Sequence, residues 1–212
     1  MLFSSYIFIF GFLPVALLIF HGLRLAGLDR LSVLALVLLS VFFYGYWNPI
    51  YLLLLIPLTL FNFAVASTIL SCRAHRPRTA RTLMVMGVTA NLCVLGYFKY
   101  VNFFVDNLNA FSGANLVIAT VVLPLSISFF TFQKIAFVVD AYQGRIDRLN
   151  FLDFALFVSF FPQLIAGPIV HHSEVFPQFR RPGPVARRAI AMGLTIFAIG
   201  LAKKVLLADT AA

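Results

Sequence analysis

The residues best equipped for chemistry lie in one stretch, Ser159 to Phe179, which reads SFFPQLIAGPIVHHSEVFPQF. It is as apolar as a membrane helix, yet Pro162, Gly167 and Pro168 interrupt it and the adjacent pair His171 and His172 follows at once. Imidazole has the proton affinity for general base catalysis near neutral pH. Against that role, neighbouring residues do not point to one site on a helix, and the nearest carboxylate able to fix a tautomer is Glu174. The other histidines, His21 and His75, sit at an interface and amid arginines. No Gly-rich phosphate loop, HExxH or GxSxG occurs. No catalytic residue is therefore assigned in this chain, and His171 and His172 are the only residues to come forward for that role.

Composition dictates where such a site must sit. The 212 residues are 62% hydrophobic and only 11% charged, too little polar surface for a water-soluble domain. A bilayer core about 30 Å thick needs roughly 20 apolar residues per helix. Hydrophobic runs of membrane grade cover Tyr6 to Phe20, Leu31 to Tyr46, Ile50 to Leu70, Leu83 to Phe98, Leu116 to Val139, Phe151 to Val170 and Ala189 to Leu207. The first has no basic residue before it and no small-residue cleavage site after it, so it reads as a retained span. The expected fold is all-α: a polytopic membrane protein of about six full spans plus one re-entrant segment, forming a single membrane domain over residues 1–212. The lipid bilayer is its first partner.

The net charge of +9 comes from arginines clustered between apolar runs, where topology places them, and nucleic acid is not an expected partner. Cys72 and Cys93 lack metal-type spacing and read as small apolar residues, with no metal expected. Loop SCRAHRPRTAR carries Arg73, Arg76, Arg78 and Arg81 without an acid, so it belongs in the cytoplasm. The basic Arg24 to Arg30 loop falls on the same side, which puts the N-terminus outside.

Counting onward, Arg145 and Arg148 lie inside. A full crossing by Phe151 to Val170 would then strand Arg180, Arg181, Arg187 and Arg188 outside. The conflict is resolved if this segment enters from the cytoplasmic side, breaks near Pro162 or Gly167-Pro168 and returns. Irregular backbone at membrane depth needs protein or a water-filled cavity around it. An ordinary proline-kinked span with a basic external loop is the alternative. The preceding segment is untidy too. Ser128 and Thr131 suit helix packing, whereas Gln133 and Lys134 belong beside a cavity, because a mid-helix lysine costs roughly 2.5 to 3.5 kcal/mol to insert. Asp140 sits near a helix end, where an ion pair with Arg145 is one reading.

The runs LPLSISFFTFQKIAFVVDAYQG and FFPQLIAGPIVHHSEVFPQF, with FFYGYWNPIYLLLLI, GYFKYVNFFVDNLN and GLAKKVLLAD in order around them, resemble the membrane-bound O-acyltransferase (MBOAT) family, particularly its bacterial branch. The resemblance covers essentially the whole chain. It implies an acyl relay in which a cytoplasmic donor, acetyl-CoA or another acyl donor used as substrate with no bound cofactor, feeds a pore-like cavity. The acyl group is delivered to an extracytoplasmic hydroxyl, such as that of a polysaccharide acceptor like alginate. Periplasmic or membrane acetylation partner proteins complete the transfer, and the bacterial inner membrane is the location. Phe161, Pro162, Gln163, Gly167 and Pro168 match the family's broken segment near the donor entrance, and Gln133 and Asp140 match polar positions on the helix before it.

The family's catalytic histidine is expected in sequence following Asp209, and family members run to roughly three times a typical domain of about 150 residues. By this reading the chain is an N-terminal portion, inactive alone or a scaffold. A transporter or flippase would also use broken helices, with inverted-repeat symmetry between its halves, which the sequence does not display.

Overall fold

Proline and glycine placement sets most of the helix boundaries. The computed structural model describes residues 3–113, 121–146, 148–164, 172–180 and 187–210, which contain helices and no strand. Helix α1 (Leu13–Leu25) continues from a π-helical turn, Ile7–Phe12. Pro14 lies in the first turn of α1, and the wider π turn before it accommodates a ring that would clash in a continuous α-helix. Gly27, at φ 74°, turns the chain into α2 (Asp29–Trp47). Asn48 then accepts a hydrogen bond from the Ile50 amide through its side chain, capping the short 3₁₀ turn Pro49–Tyr51. Helix α3 (Leu52–Cys72) follows, then α4 (Pro77–Ser112), with proline in its first turn and Gly113 in the left-handed region at its end.

Five helical stretches among the described residues are long and apolar enough to cross a membrane: Ile7–Leu25, Asp29–Tyr46, Pro49–Cys72, Pro77–Ser112 and Ile190–Ala208. They correspond to the first four expected spans and the last. At 36 residues, α4 is far longer than the expected Leu83 to Phe98 segment, and its length of about 54 Å exceeds a bilayer core by several turns. The final stretch joins α9 (Arg187–Ala202) to a π-helical turn, Lys203–Ala208, and none of its apolar window is buried by protein.

The remaining two expected spans are not single long helices. In place of Leu116 to Val139, residues 121–124 are non-helical, a turn at Leu125 and Ser126 follows, and only then does α5 (Ile127–Gln143) begin. Ser126 adopts φ 61°, a left-handed conformation that starts the helix afresh after Pro124. Its 17 residues rise about 25 Å. In place of Phe151 to Val170, α6 (Phe151–Ser159) runs only nine residues, about 13 Å. Phe160 leaves the helix with ψ 108°, and the chain restarts as the short α7 (Phe161–Leu164). The break thus precedes Pro162, which occupies the first turn of α7, where a missing amide proton costs nothing. Gly167-Pro168, the other expected break, lies outside the described residues.

Side-chain contacts fix the helix directions. Asn62 of α3 and Asn91 of α4 exchange reciprocal amide hydrogen bonds of 3.1 and 2.7 Å, both fully buried. Each also donates back to its own helix, to the Leu58 and Gly87 carbonyls. With no hydrophobic drive between helices in lipid, such satisfied polar pairs and close backbone approach hold helices together. Gly87 supplies the approach: a Cβ there would lie 3.1 Å from Val65 and 3.4 Å from Val138. Helix α4 therefore runs antiparallel to both α3 and α5. A separate aromatic cluster, Phe8, Phe12, Phe43 and Phe161, joins α1 and α2 to the restart of the broken segment.

Candidate functional site

The break after α6 frees two backbone groups that a continuous helix would have paired with each other. The Phe157 carbonyl instead accepts a 3.0 Å hydrogen bond from Gln133 Nε2 of α5. The Phe161 amide donates to Ser40 Oγ of α2 at 3.2 Å. Both bonds are buried, so the break is built into the packing, with a dedicated side chain for each orphaned group. Ser159 Oγ bonds back to the Ala155 carbonyl at 2.7 Å in the last turn of α6.

One turn of α5 carries a second polar feature. Lys134 is 0% exposed and lies 4.5 Å above the Phe130 ring, and among the described residues its Nζ has no hydrogen-bond partner. Thr131, three residues earlier and on the same side of the helix, has a buried hydroxyl that likewise has no partner among the described residues. A threonine in a helix ordinarily bonds back to the carbonyl four residues before it, as Thr59 does. A lysine and a threonine hydroxyl one turn apart on α5, with the Phe130 ring face giving the lysine partial compensation, put two donors into an apolar interior.

At the far end of α5, Asp140 is 3% exposed and meets both Arg145 and His172. Arg145 Nη1 lies 3.0 Å from Oδ1, and His172 Nδ1 lies 3.4 Å from Oδ2. His172 opens α8 (His172–Arg180), and its ring packs edge-on against Phe137 and Phe176. The Asp140–Arg145 pair matches the sequence reading. The carboxylate facing His172 does not: it comes from Asp140, whereas Glu174, nearest in sequence, is exposed. The same helix end is tied to the basic α3–α4 loop, because Arg73 Nη1 donates to the Ala141 carbonyl at 3.1 Å. Gly144 at φ 81° leaves room for that guanidinium, and a Cβ there would approach Arg73 Nη1 to 3.2 Å.

Of the residues singled out from sequence, Gln133, Lys134, Asp140 and His172 are all buried on α5 and α8. Phe161 is buried in the aromatic cluster, Gln163 is buried and Pro162 is exposed. Gly167, Pro168 and His171 lie outside the described residues. Ser40 and Thr131 add to the set, and only Thr131 carried a sequence signal, as one of several polar residues punctuating an apolar run. A groove of about 570 Å³ lies between the start of α3, Phe98 and residues 121–124. None of the residues singled out from sequence lines it.

A family model described as MBOAT, membrane-bound O-acyltransferase family, matches residues 78–211. The chain belongs to this family. That range takes in α4, α5, the break and α8. Among MBOAT-type relatives, a protein named peptidoglycan O-acetyltransferase from Helicobacter pylori is 43% identical over all of this chain and 45% of its own length. A protein named probable alginate O-acetylase AlgI from Pseudomonas aeruginosa is 40% identical, over all of this chain and 41% of its own length. One of the same name from Azotobacter vinelandii is 38% identical, over all of this chain and 42% of its own length. The chain spans less than half the length of these curated relatives. No solved structure matches the chain. Family membership and the apolar helices together make this a multi-pass membrane protein.

Proposed function

We propose that this MBOAT chain supplies the donor side of a membrane O-acetyltransferase, passing an acetyl group across the bacterial inner membrane to an extracytoplasmic polysaccharide hydroxyl such as that of alginate. The observation that carries this reading is the purpose-built break after α6, whose Phe157 carbonyl is held by Gln133 of α5, the helix that also carries the buried donors of Lys134 and Thr131. A thioester or ester carbonyl oxygen moving along α5 gives these donors the acceptor they lack. Interactions of this kind strengthen as negative charge develops on the oxygen during acyl transfer. The names of the relatives support acetyl as the group transferred.

In this reading the basic Arg24 to Arg30 and Arg73 to Arg81 loops face the cytoplasm, the N-terminus lies outside, and α6 with α7 is re-entrant from the cytoplasmic side. Acetyl-CoA is the donor, the polysaccharide the acceptor, and acetylation partner proteins complete delivery. Membranes holding this chain together with the sequence that carries the family's catalytic histidine and those partners, given labelled acetyl-CoA, are expected to yield O-acetylated glycan; label that stays in the donor would refute the assignment. Topology is checked by single cysteines at Ser159 and Ser173. Labelling of both from one face is the expected result, and labelling from opposite faces means that the segment crosses.

A further inference from the structure

The pairing of Asp140 with His172 joins helices separated by the whole broken segment, and both side chains are buried. On the α5 side, Asp140 stands one turn from Phe137; on the α8 side, His172 stands one turn from Phe176. The two aromatic rings bracket the imidazole, at centroid distances of 5.5 and 5.6 Å, and Phe176 reaches on to Phe157 of α6 at 5.7 Å. Arg145, whose side chain is 61% exposed, meets Asp140 Oδ1, and the imidazole meets Oδ2. Outward from this anchor α8 is exposed at Ser173, Glu174, Pro177 and Gln178. The helix is nine residues long and contains Pro177, too short and too interrupted to hold its place by its own helicity.

We propose that Asp140 and His172 are positioning residues: their buried contact locks α8 onto α5 and α6, and so fixes the wall of the donor entrance. This rests on the donor-side reading above, and it assigns to His172 a role that needs no direct contact with substrate. The aromatic contacts alone would let α8 slide, since edge-on rings tolerate many registers, whereas a carboxylate–imidazole contact does not.

The test uses the full chain in membranes with Cys72 and Cys93 replaced by serine and a reporter cysteine at Val175, a half-buried position on α8. His172→Phe keeps an aromatic ring between Phe137 and Phe176 but removes the nitrogen that meets Asp140. Maleimide labelling of the reporter is expected to rise more than about tenfold in His172→Phe, as in Asp140→Asn, and no further in the double variant. A reporter at the exposed Gln178 is expected to label equally in all. Unchanged labelling at Val175 in His172→Phe, or effects of the two single changes that add, would overturn the lock. In acyl transfer, measured with the sequence that carries the family's catalytic histidine present in the same membranes, the variants are expected to raise the donor KM at least fivefold with kcat kept within about twofold. A raised labelling rate with unchanged donor KM would overturn the positioning role. Absence of transfer in every form, wild type included, would count against the donor-side reading, while the labelling result still decides whether the lock exists.

Discussion

Replacing Lys134 by methionine is expected to make the protein more stable and less active. The side chain is fully buried; among the described residues its Nζ has no hydrogen-bond acceptor, and the face of Phe130 lies 4.5 Å from it. An ion in an apolar interior forfeits hydration that one aromatic ring does not replace. Methionine has a similar length, fills irregular space and carries no charge, so the exchange should gain about 1–3 kcal/mol in a detergent unfolding experiment. Acyl transfer should fall more than about tenfold, because a preorganised donor beside a developing oxyanion is worth roughly 3 kcal/mol of barrier. Thermal unfolding followed alongside transfer of labelled acetyl groups checks both at once. A variant that loses stability would mean that Lys134 is held by a partner after all. One that keeps full activity would remove Lys134 from the acyl path.

Phe161→Ala is expected to be among the most damaging single changes in the chain. The ring is 4% exposed and packs against Phe8, Phe12 and Phe43, with centroids 6.2, 5.1 and 5.4 Å away. Its amide is also the one that Ser40 satisfies. Truncating a buried phenylalanine costs about 3–5 kcal/mol, mostly through the cavity left behind. Here the cavity would open where α1 and α2 meet the broken segment, so the loss extends to the placement of α7. Phe161→Leu should retain more than half of the stability lost in the alanine variant, and Ser40→Ala should cost about 1 kcal/mol by orphaning one buried amide. Chemical unfolding monitored by tryptophan fluorescence and size exclusion measures the series.

Helices α1 to α3 were legible because each run of apolar residues ends at a residue whose backbone chemistry cannot continue it: Gly27, Asn48-Pro49, the loop before Pro77. Composition misled at Leu116 to Val139. Val121, Val122 and Leu123 are as apolar as any span, but hydropathy reports what a segment is compatible with, not how its backbone is hydrogen-bonded. Pro124 and Ser126 were the visible warning. In the broken segment proline was read as the breaking residue, yet a helix stops before a proline that begins the next one, so the break falls at Phe160.

The pairings that organise the site were the least legible. Gln133 could be read as a polar side chain in need of company, but nothing in a single sequence says that the Phe157 carbonyl is its partner. Ser40 looked like any serine in an apolar helix. For His172 the eye goes to Glu174, two residues on, although a helix points those side chains apart. Asp140 stands out in the sequence by its match to a polar position of the family, with an ion pair to Arg145 as the other reading, and neither shows that its second oxygen meets His172. Proximity along the chain was a poor guide because the fold brings α5 and α8 together only after the break has turned the chain.

The most direct test of the donor-side account is a sidedness experiment. Sealed inverted membrane vesicles, with the cytoplasmic face outward, would carry this chain with the sequence that holds the family's catalytic histidine, the proposed acetylation partners and acceptor glycan enclosed in the lumen, and labelled acetyl-CoA would be added outside. The account predicts acetyl label on luminal glycan, lost in parallel when Lys134 is replaced by methionine. Label reaching the glycan only when the donor is supplied in the lumen, or equally with and without Lys134, would contradict it.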